Sequence, residues 1–313
     1  MNIKGLTFYT LCMAFACQCF AQKESRIPKV ETGKIIRFEN FKSKFVLARN
    51  IDVWLPDDYS KSKKYAVLYM HDGQMLFDSA NTWNKQEWGL DEAILKLSNE
   101  NKLNDFIVVG IWNSKLRHAE YTPEKPFISL DSAQRERVME VGKVKPERVM
   151  PNGKPLSDAY LKFIVRELKP FVDSAFSTKR GRRFTNIAGS SKGGLISLYA
   201  ICEYPKVFGG AACLSTDWPV ILTNFNNPMP AALLKYLAKN APGSKHHKLY
   251  FDHGTRTLDS LYERHQIKAD SILREKGFTN TNFKSLKFEG QDHSEKAWRS
   301  RIQEPLFFLF GKK

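Results

Sequence analysis

Short apolar segments bounded by turn residues recur along the chain and predict eight β-strands. Several are continuously apolar, which is typical of strands buried on both faces of a sheet. The predicted strands cover residues 35–41, 48–55, 66–71, 106–112, 184–189, 210–214, 248–252 and 285–288.

Longer segments with helical spacing of apolar residues lie between the later strands. In the segment 158–176, the apolar positions are spaced so that one helix face can pack on a sheet. Strands that alternate with helices predict an α/β fold with a mostly parallel sheet and helices on both faces. The first two strands have no helix between them, which indicates an antiparallel start. The predicted helices cover residues 87–99, 158–176, 192–203, 231–239 and 259–276.

The 313 residues are 42% hydrophobic, and the length allows either one large α/β domain or two small ones; a single domain is predicted over 22–313. Residues 123–157, with five prolines and many charges, interrupt the alternation of strands and helices. This segment is interpreted either as a cap or pocket wall above the sheet or as a plain surface loop.

The first 21 residues have the layout of a signal peptide. Lys4 precedes an uncharged apolar run from Leu6 to Phe20, and cleavage is predicted after Ala21. An uncleaved anchor is the alternative, but about 15 apolar residues fall short of the ~20 that span a bilayer. A lipid-modified Cys17 or Cys19 is a further alternative, although the residues before each make a poor lipobox. The sequence predicts export to the periplasm or medium, without stable membrane insertion after cleavage.

Charge and cysteine content narrow the function classes. The net charge is +16, and removal of residues 1–21 leaves 48 basic and 33 acidic residues, a net +15. The charges are scattered in short pairs and no nucleic-acid motif is present, so we expect a solvated basic surface and no nucleic-acid partner. Two cysteines, Cys202 and Cys213, remain after cleavage, with no metal-ligand spacing. Both are predicted to be buried thiols.

A Gly-x-Ser-x-Gly frame is centred on Ser191, between Gly189 and Gly193. Ser190 would need glycines at 188 and 192, which hold Ala and Lys. Ser191 falls between a predicted buried strand and a helix, on the kind of sharp turn that exposes a nucleophilic hydroxyl. A serine hydroxyl needs a base to accept its proton, so a carboxylate and a histidine should follow in the order Ser, Asp, His.

The candidate base is His293, the one histidine that follows the last predicted strand. The candidate acid is less clear. Asp259 lies beyond the penultimate strand and is favoured, because an acid there can turn back towards His293. Asp252, at the end of that strand, and Asp217, after the preceding strand, remain alternatives.

Acyl transfer also needs hydrogen-bond donors for the oxyanion. The backbone N–H of Lys192 is one candidate, and Gly73 and Gln74, in the loop after the third strand, are the others. His71 and Asp72 have no third residue at metal-ligand spacing, so no metal is predicted.

Four motifs carry a resemblance to the putative-esterase family of α/β-hydrolases. They are His-Asp-Gly-Gln at 71–74, Gly-Ser-Ser-Lys-Gly-Gly at 189–194, Asp-His-Gly-Thr at 252–255 and Gly-Gln-Asp-His at 290–293. The family includes carbohydrate esterase family 1, siderophore esterases and S-formylglutathione hydrolases. The resemblance extends over about residues 33–311. Two departures are Met75, where asparagine is common, and Thr257, where an acid is common.

The resemblance implies the α/β-hydrolase fold and a cofactor-free serine esterase that forms an acyl-serine. Within such a fold, Trp83, Trp112 and Arg117 are expected to line an acyl or sugar subsite, with aromatic packing beside a rim charge as the alternative. Combined with export, the resemblance favours small-molecule or oligosaccharide substrates, as feruloyl or acetyl esters of carbohydrates. A siderophore trilactone hydrolase is the alternative, and a non-catalytic binding module of the same fold is the alternative from another class.

Overall fold

A computed structural model describes residues 26–145 and 148–312, and its strands form one eight-stranded sheet in the order β1-β2-β4-β3-β5-β6-β7-β8. The β1–β2 and β2–β4 pairs are antiparallel, and the remaining pairs are parallel. The predicted α/β class and antiparallel start are therefore confirmed. The strands are β1 (Lys34–Phe41), β2 (Arg49–Leu55), β3 (Ala66–His71), β4 (Phe106–Ile111), β5 (Thr185–Ser190), β6 (Gly210–Leu214), β7 (Lys248–His253) and β8 (Phe283–Lys287).

The central strands are buried on both faces, which explains the largely apolar sequences of β3, β4 and β6. Every residue of β3, β4, β5 and β6 is buried. Successive side chains of a strand point to opposite faces. Accordingly, Val67 and Tyr69 belong to one hydrophobic cluster, whereas Leu68 and Met70 belong to the other.

Helices cover both faces of the sheet. Leu90 and Leu306 come from helices on one face, and Leu161 and Leu195 come from helices on the other. The helices in the described part of the chain are α1 (Leu90–Asn99), α2 (Arg117–Tyr121), α3 (Glu124–Ile128), α4 (Ser132–Val144), α5 (Ser157–Phe163), α6 (Lys169–Ala175), α7 (Lys192–Glu203), α8 (Met229–Asn240), α9 (Glu263–Glu275), α10 (Glu295–Arg301) and α11 (Gln303–Phe310).

Two predicted helices contain a segment that the structure folds as another kind of helix. The predicted helix 158–176 is α5 and α6, joined by a π-helical turn over Ile164–Leu168. Pro170, which cannot donate a backbone hydrogen bond, follows this turn. The predicted helix 259–276 begins instead at Glu263, because Thr257–Leu261 form a separate 3-10 helix. Asp259 therefore lies in a short turn rather than at a helix start.

The segment 123–157 is helical over much of its length and contains α3 and α4. It contacts the loop that follows β6: the Arg148 guanidinium donates to the carbonyl of Val220, and the Arg137 Nε donates to that of Asn226. These contacts place the segment beside the carboxyl edge of the sheet, where a cap would lie.

The N-terminal segment 1–21 lies outside the described residues, so the signal peptide stays a prediction. Within 26–145 and 148–312, no helix combines the length and apolarity needed to cross a bilayer. Cys202 and Cys213 are free and buried, as predicted.

Candidate active site

Ser191 occupies the turn between β5 and α7 with φ 56° and ψ −121°, a backbone conformation that residues other than glycine rarely adopt. Hydrogen bonds hold it there. Its N–H donates to the carbonyl of Leu214 (2.9 Å), and its carbonyl accepts from Leu195 (3.0 Å). Its neighbour Ser190 ends the strand and is 4% exposed. Ser191, and not the buried Ser190, therefore lies on the turn between strand and helix.

Glycines allow the helix and strand to meet at this turn. A Cβ atom on Gly189 would lie 2.7 Å from the carbonyl carbon of Gly193. A Cβ atom on Gly194 would lie 3.0 Å from the carbonyl oxygen of Leu214. Both distances are too short for ordinary contacts, so the Gly-x-Ser-x-Gly-Gly pattern follows from close packing.

His293 forms a hydrogen bond of 2.5 Å between its Nδ1 and the Oδ1 of Asp259. Asp259 is fully buried, and its other oxygen, Oδ2, accepts from the N–H of Gly254 (2.6 Å) and the hydroxyl of Ser215 (2.6 Å). Burial opposes ionisation of this carboxyl, but the hydrogen bond from His293 and the other donors outweigh it, so the pKa of Asp259 lies below its usual value. The pair therefore consists of a buried carboxylate and an imidazole that it orients.

Two aromatic side chains border the imidazole of His293. The rings of Trp298 and Tyr262 meet it edge to face, at centroid distances of 5.0 Å and 5.8 Å. The side chain of Tyr262 also lies close enough to Ser191 for that residue to oppose the rise in the pKa of Tyr262 that burial causes. Because Tyr262 contacts both residues, Ser191 and His293 face the same site.

Behind Asp259 lies a buried network that sequence reasoning missed. The Ser215 hydroxyl donates to Asp259 and accepts from Trp298 Nε1 (3.0 Å) and the Arg301 guanidinium (2.8 Å). The same Arg301 nitrogen lies 3.0 Å from Asp252 Oδ1. Sequence reasoning considered the loop that contains Ser215 only as a source of the acid. The position of Ser215 directly after β6, at the carboxyl edge of the sheet, is the sequence signal that could have identified it.

The two alternative acids have other partners. Asp252 accepts from Arg301 and from the hydroxyl of Tyr250 (2.9 Å), and burial raises its pKa despite the guanidinium. Asp217 lies with its Oδ2 3.7 Å from the Nζ of Lys192. Asp259 is therefore the carboxylate that is hydrogen-bonded to His293, whereas Asp252 and Asp217 lie beside Arg301 and Lys192.

The loop after β3 packs against the first turn of α7. A Cβ atom on Gly193 would lie 3.4 Å from Asp72 Oδ2. Asp72 itself has φ 56° and is held by two bonds from Arg117, of 2.7 Å and 2.8 Å, and one from the side chain of Asn113 (2.7 Å). Gly73 begins a 3-10 turn immediately afterwards.

The predicted oxyanion donors thus belong to adjacent segments. Gly73 and Gln74 follow the clamped Asp72, and Lys192 begins α7. The side-chain oxygen of Gln74 accepts from the N–H of Asn113 (3.2 Å), which fixes that residue's orientation. Backbone donors at these positions can act on a developing negative charge beside Ser191.

The Lys192 side chain is buried, with 3% of the residue exposed. Its ammonium donates to the hydroxyl of Thr122 (3.1 Å) and lies 3.7 Å from Asp217. Burial lowers its pKa to about 7; Asp217 opposes this shift, and Arg148 and Arg117 add to it. This side chain links the turn of Ser191 to the end of α2 and to the loop after β6.

The three predicted subsite residues have different surroundings. Trp83 is 83% exposed, and its neighbour Asn84 donates to Glu295 (2.8 Å), so Trp83 lies on the side of His293. Trp112 donates to Asp52 (2.9 Å) under the guanidinium of Arg37, which places it towards β2. Arg117 clamps Asp72 with a third of its side chain exposed. Substrate contacts for these residues stay a prediction.

His71 is buried, and its Nδ1 lies 2.8 Å from the hydroxyl of Tyr160. Burial lowers its pKa to about 3, although Asp72 opposes the shift, so its ring is neutral at ordinary pH. In the described ranges, no three His, Cys, Asp or Glu side chains are grouped to hold a metal ion.

A mostly parallel eight-stranded sheet, with a serine on a strand–turn–helix and a later Asp–His pair at its carboxyl edge, defines an α/β-hydrolase. The chain belongs to the family described as "Putative esterase", whose model matches residues 46–309. The protein is therefore an esterase-family hydrolase.

Curated relatives are similar over most of their length. The uncharacterized protein YbbA of Bacillus subtilis is 25% identical over 272 residues, which cover 84% of this chain and 93% of that protein. The carboxylesterase SOBER1 of Arabidopsis thaliana is 26% identical over 199 residues, covering 63% and 80%.

Solved esterase structures share the fold. A family 1 ferulic acid esterase from Anaeromyces mucronatus, in complex with ferulic acid, has a TM-score of 0.60 at 17% identity, with 90% of this chain and 93% of that chain covered. The enterobactin esterase of Shigella flexneri has a TM-score of 0.58 at 17% identity, with coverage of 90% and 61%.

Proposed function

We propose that the protein is an exported serine esterase that hydrolyses feruloyl or acetyl esters of carbohydrates through an acyl-serine intermediate. The observation that carries the proposal is the 2.5 Å bond between His293 and a buried Asp259, together with a serine on a strained strand–helix turn. A base that is oriented by a third group is the arrangement that activates a serine hydroxyl.

In the proposed reaction, the Ser191 hydroxyl attacks the ester carbonyl and passes its proton to His293. Asp259 stabilises the imidazolium that forms. Backbone donors at Lys192 and the Gly73 loop stabilise the oxyanion, and each such donor typically contributes ~100 to 1,000-fold in rate. The protonated His293 then donates to the departing alcohol. Water, deprotonated by the same histidine, hydrolyses the acyl-serine.

The carbohydrate substrate is supported by the shared fold with a ferulic acid esterase, by the predicted signal peptide and by Trp83. An indole that is 83% exposed beside the loop of His293 offers a flat apolar face to a sugar or phenolic ring.

The second candidate is hydrolysis of a siderophore trilactone. It is supported by the shared fold with an enterobactin esterase and by the net charge of +15 after cleavage, which would attract an anionic complex. A non-catalytic module of the same fold is disfavoured, because it would not require three hydrogen bonds on a buried Asp259.

The nucleophile is tested with a fluorophosphonate probe followed by peptide mapping. We expect one adduct, on Ser191, and none on the Ser191→Ala variant. The matched control is Ser190→Ala, which should label like the unmodified protein. An adduct on Ser190, or unchanged labelling of Ser191→Ala, would contradict the mechanism.

The substrate class is tested with a panel of p-nitrophenyl acetate, methyl ferulate, acetylated xylan and a trilactone siderophore. Higher kcat/KM on methyl ferulate or acetylated xylan is expected. Preference for the trilactone would establish the second candidate, and activity on none of the four would refute both.

A further inference from the structure

A second cleft, of about 680 Å³, opens at the amino ends of the parallel strands. Its lining includes the first residue of β3, Ala66, the first residue of β7, Lys248, and the residues just before β5 and β6, Phe184 and Gly209. Its volume falls within the roughly 300–1,000 Å³ typical of ligand sites.

This cleft is separate from the candidate active site. Ser191 follows the carboxyl end of β5, whereas Phe184 precedes the amino end of the same strand. A strand of 6 residues is about 20 Å long. A ligand in the cleft therefore lies about one strand length from the scissile bond and would not be the reacting group.

The lining is strongly basic. It brings together cations from two distant chain segments, and Asp105 is the one acidic residue among the lining residues of this cleft. The carboxylate of Asp105 already accepts from Lys63 (3.0 Å). The cations of the lining are Lys179, Arg182, Arg183, Lys245 and Lys248.

An aromatic side chain in the wall of the cleft, Phe184, contacts two of these cations. The Phe184 ring lies 5.1 Å from the Lys179 ammonium and 5.8 Å from the Arg183 guanidinium. Cation–π attraction holds both cations along the wall without neutralising them. A concave surface lined by charges of one sign concentrates its field on an incoming counter-ion.

We propose that this basic cleft binds an acidic oligosaccharide whose carboxylates repeat along the chain, such as a run of uronate residues. Several cations distributed over a cleft of this size suit repeated anionic groups better than a single anion. The proposal rests on the proposed carbohydrate-ester hydrolysis: the cleft would hold an anionic stretch of the same polysaccharide whose esters reach Ser191.

The test is titration calorimetry of the full protein with an oligogalacturonide, compared with a neutral xylo-oligosaccharide of equal length. The cleft variant is Lys179→Glu/Arg183→Glu. The matched control is Lys235→Glu/Lys239→Glu, which makes the same charge change at exposed positions of α8. We expect the cleft variant to bind the oligogalacturonide at least about tenfold more weakly and the control to bind it normally.

Added salt should weaken oligogalacturonide binding, and all proteins should hydrolyse p-nitrophenyl acetate equally. Equal loss in both variants, equal binding of the neutral sugar, or inorganic phosphate binding as tightly as the oligomer would overturn the proposal. Tighter binding of single-stranded DNA would assign the cleft to another class of ligand and overturn it as well. Absence of ester hydrolysis in every protein would instead refute the proposed function.

Discussion

At the scale of single residues, two buried aspartates near the candidate base have different partners. Asp259 accepts hydrogen bonds from His293, Gly254 and Ser215, and the guanidinium of Arg301 lies 3.8 Å from it. Asp252 is bonded to the guanidinium of Arg301. The first arrangement orients an imidazole, and the second neutralises a buried positive charge.

We therefore expect Asp259→Asn to lower kcat by up to ~10,000-fold with little change in KM or melting temperature. Asp252→Asn should instead lower the free energy of unfolding by about 3 kcal/mol, since it removes the carboxylate that is hydrogen-bonded to the buried Arg301 guanidinium and leaves only Asp259, 3.8 Å away. Steady-state kinetics and thermal melts of both variants test this. A large kcat loss in Asp252→Asn with a nearly normal Asp259→Asn would reverse the assignment.

The buried Lys192 makes stability depend on pH. Its folded pKa of about 7 lies below its ordinary value of 10.5. Between these values the unfolded chain binds more protons, so the stability of the protein rises with pH. Below about pH 7 the cost of burying the ammonium is present in full, and it declines as pH rises towards 10.5.

Relative to Lys192→Met, the unmodified protein should therefore gain about 2–3 kcal/mol of stability between pH 7 and pH 9, because each pH unit in this window is worth about 1.4 kcal/mol. Urea unfolding at several pH values measures it, with the exposed Lys235→Met as control. A stability difference that is independent of pH would show that Lys192 stays charged throughout.

At the scale of elements, the loops after β7 and β8 are joined by hydrogen bonds. The N–H groups of Thr255 and Arg256 both donate to the carbonyl of Gln291, at 2.9 Å and 3.0 Å. The N–H of His293 donates to the hydroxyl of Thr257 (2.9 Å). Thr257, the position where the resemblance led us to expect an acid, therefore supports the backbone of His293.

Gly254 allows these two loops to approach, because a Cβ atom there would lie 2.3 Å from the carbonyl oxygen of Gln291. Gly254→Ala should push the loop of His293 away and lower kcat about 100-fold, since a displacement near 1 Å can cost that much. Gly243→Ala is the control, because a Cβ atom there meets nothing within 4 Å. Equal kcat in the two variants would contradict the role given to this contact.

At the scale of the whole molecule, residues 1–21 are predicted to direct export. Expression of the full chain should yield an extracytoplasmic protein whose first residue, found by mass spectrometry, is Gln22. Replacing Leu11 by Arg should interrupt the apolar run and retain the protein inside the cell. A retained Met1 would contradict cleavage and support the uncleaved anchor. A lipid on Cys17 or Cys19 would support the lipid-modified alternative instead.

The charge distribution also belongs to this scale. The sequence presents basic residues in short, scattered pairs, and from them we expected a solvated surface. In the structure, Arg182 and Arg183 lie with Lys245 and Lys248 around one cleft. Their sequence separation exceeds 60 residues, so only the parallel pairing of β5, β6 and β7 brings them together.

Apolar periodicity was enough to predict the eight strands, their alternation with helices and the turn that carries Ser191, because these depend on neighbours within a few residues. Residue chemistry and chain order were enough to nominate His293 and to favour Asp259. The choice among buried carboxylates depended on hydrogen bonds between distant loops. Ser215 and Arg301 join the site through contacts across 44 and 86 residues, which no local pattern encodes. The tertiary structure decided these partners because a buried polar group must find its hydrogen bonds wherever the fold provides them.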